Sequence, residues 1–171
     1  PSAEIIGDEK IIGTSVDDRA GCAVLLEVAR QINSRTAGPE INIVFTVQEE
    51  FNLRGALPVA QKIKPEIAIQ IDLLLASDTP DMRDFGEIKL GEGPGISVFS
   101  FHGRGTLNGV IPHPVLVKHF EQAASKENIN LQKSAHIGAL TDLSYVQLVD
   151  DGVASLDVGF PIRYSHTAQE M

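Results

Sequence analysis

The sequence predicts an α/β fold with a mainly parallel sheet sandwiched by helices. Apolar runs rich in β-branched residues alternate along the chain with segments of helical periodicity, as in βαβ units. Several of these runs are nearly continuous, which is typical of strands covered on both faces. The chain has 171 residues and an apolar fraction of 43%, which suits one domain with a real core.

The first half of the chain contains three of the predicted strand regions and two helices. Glu4–Thr14 reads as two short strands around a turn near Gly7-Asp8. Ala20–Ile32 is predicted as a helix because Val24, Leu25, Val28, Ala29 and Ile32 recur at a helical period. Ile41–Val47 (INIVFTV) is predicted as a buried strand, Leu57–Ile63 as a short helix and Ile67–Ile71 as a second buried strand.

The second half begins with a long polar loop, residues 76–94, and loops of that length in compact domains are usually functional or mobile. Ile96–Phe101 follows as a strand. Val115–Glu127 is predicted as a helix with Val117, Phe120, Ala123 and Ala124 facing inward. Leu143–Val149 is a further helical piece, and Ala154–Val158 is the last predicted strand.

Charge and cysteine content exclude several classes of function. The formal net charge is -9, which argues against a nucleic-acid partner because phosphate binding needs a basic face. The single cysteine, Cys22, excludes an internal disulfide and a cysteine-based zinc site, and it favours a reducing, cytoplasmic location. No apolar run approaches the roughly 20 residues of a membrane span, so no membrane partner is expected.

Acidic or imidazole side chains follow four predicted strands. These positions are Asp17-Asp18-Arg19, Gln48-Glu49-Glu50, Asp72 and Tyr164-Ser165-His166. Ligands of parallel sheets gather at the carboxyl ends of the strands. Carboxylates crowded there repel one another unless a cation joins them. Carboxylates with a histidine and no thiolate suit Zn, Co or Mn, and two such ions can activate one water between them.

Other readings of these residues remain open. Asp18 could cap the helix beginning near Ala20, and Glu49-Glu50 could be a solvated loop pair. Asp72 is harder to explain this way, because a charge at the end of a buried strand needs a partner or a metal. The other four histidines are not assigned to a metal; they are His102, His113, His119 and His136.

Four segments in order resemble the M42 family of metallo-aminopeptidases, the tetrahedral-type aminopeptidases and relatives once called glucanases. The segments are GTSVDDRAGCAVLLE, VFTVQEEFNLRGA, IQIDLLLASDTP and VGFPIRYSHTAQEM. The resemblance implies removal of N-terminal residues from a peptide substrate, using two divalent metal ions, zinc or cobalt, with manganese also open. It also implies a homo-oligomer for the full-length parent.

The resemblance assigns a role to each matching residue. It points to Asp17 as the carboxylate bridging both metals, to Glu50 and Asp72 as ligands of one metal each, and to His166 as a further ligand. Glu49 is the implied general base, accepting the proton of the attacking water and passing it to the leaving amine.

The match to the family is incomplete in three respects. Residues 1–171 are expected to be the C-terminal portion of a catalytic domain, without the family's upstream histidine ligand and without its apical dimerisation domain. The family usually has Gly-Thr-Asp where this chain reads Leu140-Thr141-Asp142. We therefore expect the chain alone to be poorly active. A related amidohydrolase, a glucanase with two acids across the scissile bond, and a non-catalytic metal- or peptide-binding homologue remain the alternatives.

Overall fold

A computed structural model describes residues 3–7, 10–32, 37–103 and 108–171. Its elements, in chain order, are β1 (Glu4–Ile6), β2 (Lys10–Ile12), α1 (Val16–Ile32), α2 (Ala56–Ile63), β3 (Ile67–Leu75), a 3₁₀ turn (Arg83–Phe85), β4 (Gly95–Phe101), β5 (Gly109–Val110), α3 (Pro114–Lys126), β6 (Gln132–Ile137), α4 (Leu143–Val146) and β7 (Ala154–Ile162). None of the described helices is long and apolar enough to cross a bilayer.

The central sheet is mixed, with most of its residue pairs parallel. β3 and β7 run parallel over nine residue pairs, and β4 and β6 over six. The antiparallel contacts of β4 with β5 and with β7 cover two pairs each. α1 packs against β3, and α3 packs against β7. The predicted α/β class with a mainly parallel sheet is therefore confirmed.

The predicted hairpin near the beginning of the chain is present. β1 and β2 pair antiparallel, and Gly7 adopts a positive φ of 64°, a backbone conformation that glycine tolerates without strain. Asp8, the other residue of the predicted turn, lies outside the described residues. Gly13 then forms an antiparallel bridge with Glu170, which joins the beginning of the described chain to its end.

The core lies between α2, α4 and one end of the sheet. Its main cluster consists of Ala56, Ala60, Val110, Leu143, Val146, Val149 and Val153. Ile96 and Leu156, on β4 and β7, are fully buried. Gly55 lets α2 begin close to the preceding segment, since a Cβ there would lie 2.3 Å from the Val47 carbonyl oxygen.

The predicted strand at Ile41–Val47 is wrong, because residues 41–46 have no regular secondary structure and 47 is a bend. Ile41, Phe45 and Val47 are also well exposed, at 46%, 48% and 68%. A strand requires a neighbour that completes its ladder of hydrogen bonds, and β-branched residues supply only the propensity. Among the described strands, β3 pairs with β7 alone, which leaves its other edge unpaired.

The prediction that Asp72 closes its strand is also wrong. Leu73–Leu75 continue β3 by pairing with Phe160–Ile162, so both β3 and β7 are longer than predicted and Asp72 lies inside a strand. β3 is not covered on both faces as expected, because Ile67 and Ile69 are about half exposed. This follows from its place at the edge of the sheet.

Several helix and strand boundaries also differ from the prediction. α1 spans Val16–Ile32, but Asp17 and Asp18 have non-helical dihedral angles, so its regular part begins close to the predicted Ala20. α4 is shorter than predicted and ends at Val146. Ala123 of α3 is exposed, whereas Ala124 is buried as predicted. The strands β5 and β6 were missed. The β6 sequence, QKSAHI, is polar and alternates between half-buried and exposed residues, so it lacks an apolar run.

The long loop is held to the site segment by specific contacts. The backbone N–H of Ser77 donates to the carbonyl oxygen of Ile88 over 2.7 Å. The Asp78 carboxylate accepts from Nε of Arg163 over 2.8 Å and from the N–H of Leu90 over 2.9 Å. The bond from Arg163 lowers the pKa of Asp78. Because Arg163 directly precedes Tyr164-Ser165-His166, this loop helps to fix the position of that segment.

Candidate metal centre

Asp17 lies at the beginning of α1, held by two contacts from the far end of the chain. Ser165 Oγ donates to Asp17 Oδ2 over 2.9 Å, and the N–H of Asp17 donates to Glu170 Oε2 over 3.0 Å. Asp17 and Asp18 have non-helical dihedral angles and are joined by a cis peptide bond. The side chain of Asp17 is only 7% exposed, so its carboxylate is fixed rather than free in solvent.

Glu170 connects the two segments that carry Asp17 and His166. Its other oxygen, Oε1, accepts from the N–H of His166 over 2.9 Å, and the residue is 3% exposed. The same residue forms the backbone bridge with Gly13. Glu170 therefore orients both candidate ligands through their main chains, a role that sequence reasoning missed although Glu170 stands within the quoted VGFPIRYSHTAQEM segment.

Asp17, Glu50 and His166 form one compact group of possible ligand atoms. His166 Nε2 lies 3.2 Å from Asp17 Oδ2 and 3.1 Å from Glu50 Oε2. One ligand atom from each residue lies within 4.8 Å of the other two, and no further group of three such residues occurs in the described part of the chain. Burial, followed by the charge of Asp17, raises the pKa of Glu50, while His166 lowers it.

Asp72 lies outside this group of three, and both of its oxygens accept hydrogen bonds. The N–H of Leu73 donates to Oδ1 over 2.6 Å, and Nε2 of Gln70 donates to Oδ2 over 2.8 Å. Burial raises the pKa of Asp72 to about 8, and the charges of Glu49, Asp18 and Asp17 add to the shift. The charges of the neighbouring acids therefore reach the Asp72 carboxyl, although no oxygen of Asp72 belongs to the group formed by Asp17, Glu50 and His166.

Glu49 lies beside these acids and is partly buried. Burial raises the pKa of Glu49 to about 7, and the charges of Asp142, Glu50, Asp17 and Asp18 add to the shift. Its neighbour Gln48 has a positive φ of 58°, and the N–H of Leu53 donates to the Glu49 carbonyl over 2.8 Å. A carboxylate whose pKa lies near neutrality is well matched to general-base chemistry. The alternative of a solvated loop pair does not fit Glu49, although Glu50 itself is exposed.

Asp18 caps α1, as the alternative interpretation allowed. Its Oδ1 accepts from the N–H of Gly21 over 2.8 Å, which satisfies one of the free N–H groups at the helix beginning. Burial raises the pKa of Asp18 to about 6. Gly21 is required here, because a Cβ at this position would lie 2.3 Å from Oδ2 of Asp18.

Gln70 and Asp142 are further polar residues that sequence reasoning did not place in the site. Gln70 donates to Asp72, and its Oε1 accepts from the N–H of Leu143 over 3.0 Å. Asp142 is 6% exposed, and its charge contributes to the raised pKa of Glu49. The only signal in the sequence was the Thr141-Asp142 pair, at the point where this chain departs from the family pattern.

The residues present fit a divalent cation. Two carboxylates and an imidazole converge within ligand distance of one another, and no thiolate is near them, a donor set that zinc, cobalt and manganese accept. Burial, and after it the charges of neighbouring carboxylates, raise the pKa values of Glu50 and Asp72, as expected for acids gathered in a partly buried site.

The model of the M42 glutamyl aminopeptidase family matches residues 1–171. The chain belongs to the M42 family. An M42 relative, the SgcX protein of Escherichia coli K12, is 38% identical over 98% of this chain and 45% of its own length. An aminopeptidase from Desulfurococcus kamchatkensis has a TM-score of 0.87 at 31% identity, over 99% of this chain and 46% of that structure.

A second solved M42 structure is the Pyrococcus horikoshii TET1 peptidase, which can assemble into a tetrahedron or a large octahedral shell. Its TM-score is 0.81 at 26% identity, over 99% of this chain and 47% of that structure. This M42 chain therefore spans about half the length of the relatives it matches. The suspected family and the fold are confirmed by these comparisons.

Proposed function

We propose that the protein containing this chain is a metallo-aminopeptidase that removes N-terminal residues from peptides. Family membership supports an aminopeptidase, and the convergence of Asp17, Glu50 and His166 supports its dependence on a metal. That convergence is the observation on which the proposal chiefly rests, because it joins three segments far apart in the sequence. A glucanase has no need of an imidazole beside its two acids.

In this proposal Asp17, Glu50, Asp72 and His166 would hold two divalent ions. Zinc or cobalt is preferred and manganese is compatible with the donor set. When bound, such ions lower the pKa of a water molecule and polarise the scissile carbonyl. Asp72 would contribute a carboxylate whose oxygens accept hydrogen bonds from Gln70 and Leu73 in this structure.

Glu49 acts as the general base in this mechanism. It takes a proton from the attacking water and later delivers it to the nitrogen of the leaving amine. Its partial burial and the neighbouring carboxylates raise its proton affinity to the neutral range, which suits both transfers. Ser165 and Glu170 hold Asp17 and His166 in place while the proton moves.

The assembly and the location of the protein complete the proposal. The TET1 peptidase can assemble into a tetrahedron or a large octahedral shell, and we propose a homo-oligomer for the protein that contains this chain. A cytoplasmic location, with no nucleic-acid partner, stays a prediction from the sequence.

The experiment is metal analysis and peptidase assay on the purified full-length protein, with Asp17→Ala, Glu49→Gln and the exposed Asp150→Asn as variants. Asp17→Ala should lose metal and activity together. Glu49→Gln should keep the metal and lose about 10²- to 10⁴-fold in kcat, the usual contribution of a general base. Asp150→Asn should match the parent in both. Hydrolysis that survives chelation would refute the metal mechanism, and an intact metal complement without any peptide hydrolysis would refute the aminopeptidase.

A further inference from the structure

Two buried aspartates, Asp142 and Asp157, take no part in the proposed metal centre. Asp142 directly precedes α4 and is 6% exposed, whereas Asp157 is inside β7 and is 3% exposed. Neither has a lysine, arginine or histidine partner among the ion pairs of the described residues. Buried carboxylates without such a partner are costly, so this pair needs a specific explanation.

Each carboxyl has one oxygen with a hydrogen-bond partner and one oxygen without. Oδ1 of Asp157 accepts from the hydroxyl of Thr141 over 3.0 Å, and the side chain of Thr46 makes a hydrogen bond to Asp142. Oδ1 of Asp142 and Oδ2 of Asp157 are buried and have no partner in the described part of the chain. Buried polar atoms of this kind are rare and normally have a structural or functional reason.

A hydrogen bond links the segments that carry the two groups. The charge of Asp142 contributes to the raised pKa of Asp157, which burial brings to about 7. Burial also raises the pKa of Asp142, while the Thr46 hydrogen bond lowers it. Thr141, which donates to Asp157, is the residue before Asp142, so one short segment connects the two. The charge of Asp142 also contributes to the raised pKa of Glu49.

We propose that Asp142 and Asp157 hold one proton between them at neutral pH, and that this neutralised pair positions the segment carrying Glu49. Two carboxylates kept close in a buried site cannot both ionise cheaply, and a single proton removes the repulsion. A protonated carboxyl is also a hydrogen-bond donor, so protonation allows the unpartnered oxygens to take part in a hydrogen bond.

The pair positions Glu49 through Thr46. Thr46 stands three residues before Glu49, and its bond to Asp142 ties that segment to the beginning of α4. The N–H of Leu143, the next residue, donates to Gln70, whose amide in turn donates to Asp72. Hydrogen bonds at Thr46 and Gln70 therefore tie the segment around Asp142 to the residues preceding Glu49 and to the candidate ligand Asp72. Asp142 and Asp157 are positioning residues, since neither touches the reacting atoms.

This positioning role rests on the proposed function, but the shared proton can be measured without any activity. The experiment is infrared spectroscopy of the protonated-carboxyl C=O stretch in the full-length, metal-loaded protein, with ¹³C-labelled aspartate. Bound metal keeps the candidate ligands ionised, so the band at pH 7 should come from this pair. We expect about one equivalent of protonated carboxyl at pH 7, and we expect the band to disappear as the pH is raised above neutral.

The variants Asp142→Asn and Asp157→Asn distinguish a shared proton from a protonated single residue. Either substitution removes the repulsion between the two carboxyls but not the burial, so the remaining carboxyl should lose its proton, and the band, at a lower pH than the wild-type pair in both variants. Asp150→Asn, on the surface, should leave the band unchanged. A band with an unchanged pH midpoint in Asp142→Asn, together with its complete loss in Asp157→Asn, would overturn the sharing.

The wild-type protein alone also tests the proposal, should either variant fail to fold. The absence of any protonated aspartate in the metal-loaded protein between pH 6 and 7 would overturn it. An additional bound cation that disappears with Asp157→Asn would overturn it as well, by showing that a metal and not a proton neutralises the pair. Loss of peptidase activity alone would bear on the proposed function and would leave the band in place.

Discussion

Raising the pH from 5 to 7 in the presence of a chelator should destabilise this chain. Four carboxyl groups have pKa values well above those of the unfolded chain: Asp72 at about 8, Glu49 and Asp157 at about 7, and Asp18 at about 6. Each raised pKa means that the folded chain holds a proton that the unfolded chain has lost. The free energy of unfolding therefore falls as the pH rises from about 4 towards 8.

The size of the effect follows from the number of protons. Each proton bound only by the folded state lowers the free energy of unfolding by about 1.4 kcal/mol per pH unit. Because these acids repel one another, one protonation lowers the proton affinity of the others, and one or two net protons is the sensible range. Over two pH units this amounts to about 3 to 6 kcal/mol, a large part of the roughly 5–15 kcal/mol that stabilises a typical domain.

The assay is urea unfolding followed by far-ultraviolet circular dichroism, since the chain has no tryptophan. With chelator, the midpoint should fall from pH 5 to pH 7. With excess zinc the trend should reverse, because bound metal requires ionised ligands and binds the folded state only. Asp72→Asn should flatten the chelator profile, and the exposed Asp150→Asn should not. A midpoint that stays constant or rises with pH in chelator, or equal stabilisation by zinc at both pH values, would refute the reasoning.

Three further outcomes test individual contacts. Glu170→Gln weakens the support for Asp17 and His166 and should reduce metal affinity about 10- to 100-fold, as for other groups that orient ligands. Competition with a chromogenic chelator measures this affinity, and an unchanged value would rule out an orienting role. Gly21→Ala places a Cβ against the Asp18 carboxylate and should lower the free energy of unfolding, measured in urea, by about 1–3 kcal/mol. Cys22→Ala, at an exposed neighbouring residue, should leave the free energy of unfolding nearly unchanged. Equal stabilities of the two variants would show that the cap is dispensable. Gln70→Leu removes hydrogen-bonding groups around Asp72 and should lower the zinc stoichiometry or affinity. Elemental analysis after dialysis measures the bound zinc, and an unaltered zinc content would contradict this prediction.

The α/β class and the candidate ligands could be read from the chain because both depend on local signals. Helical periodicity predicted α1, α2 and α3 to within a few residues, and the quoted motifs predicted the family. The motifs also named Asp17, Glu50 and His166, which the structure brings together. Side-chain type reports directly on metal preference, so the sequence was enough to predict which metals this donor set could accept.

Pairing between distant segments was decided only by the tertiary structure. Asp72 lies inside β3 because Leu73–Leu75 find partners in β7, and the apolar run 41–47 forms no strand although its composition favours one. Propensity describes a residue, whereas a strand exists only with its neighbour. For the same reason the Glu170 contacts and the Asp142–Asp157 pair were invisible in the sequence: their partners come from elements far apart along the chain, and only the fold brings them within hydrogen-bond or electrostatic range.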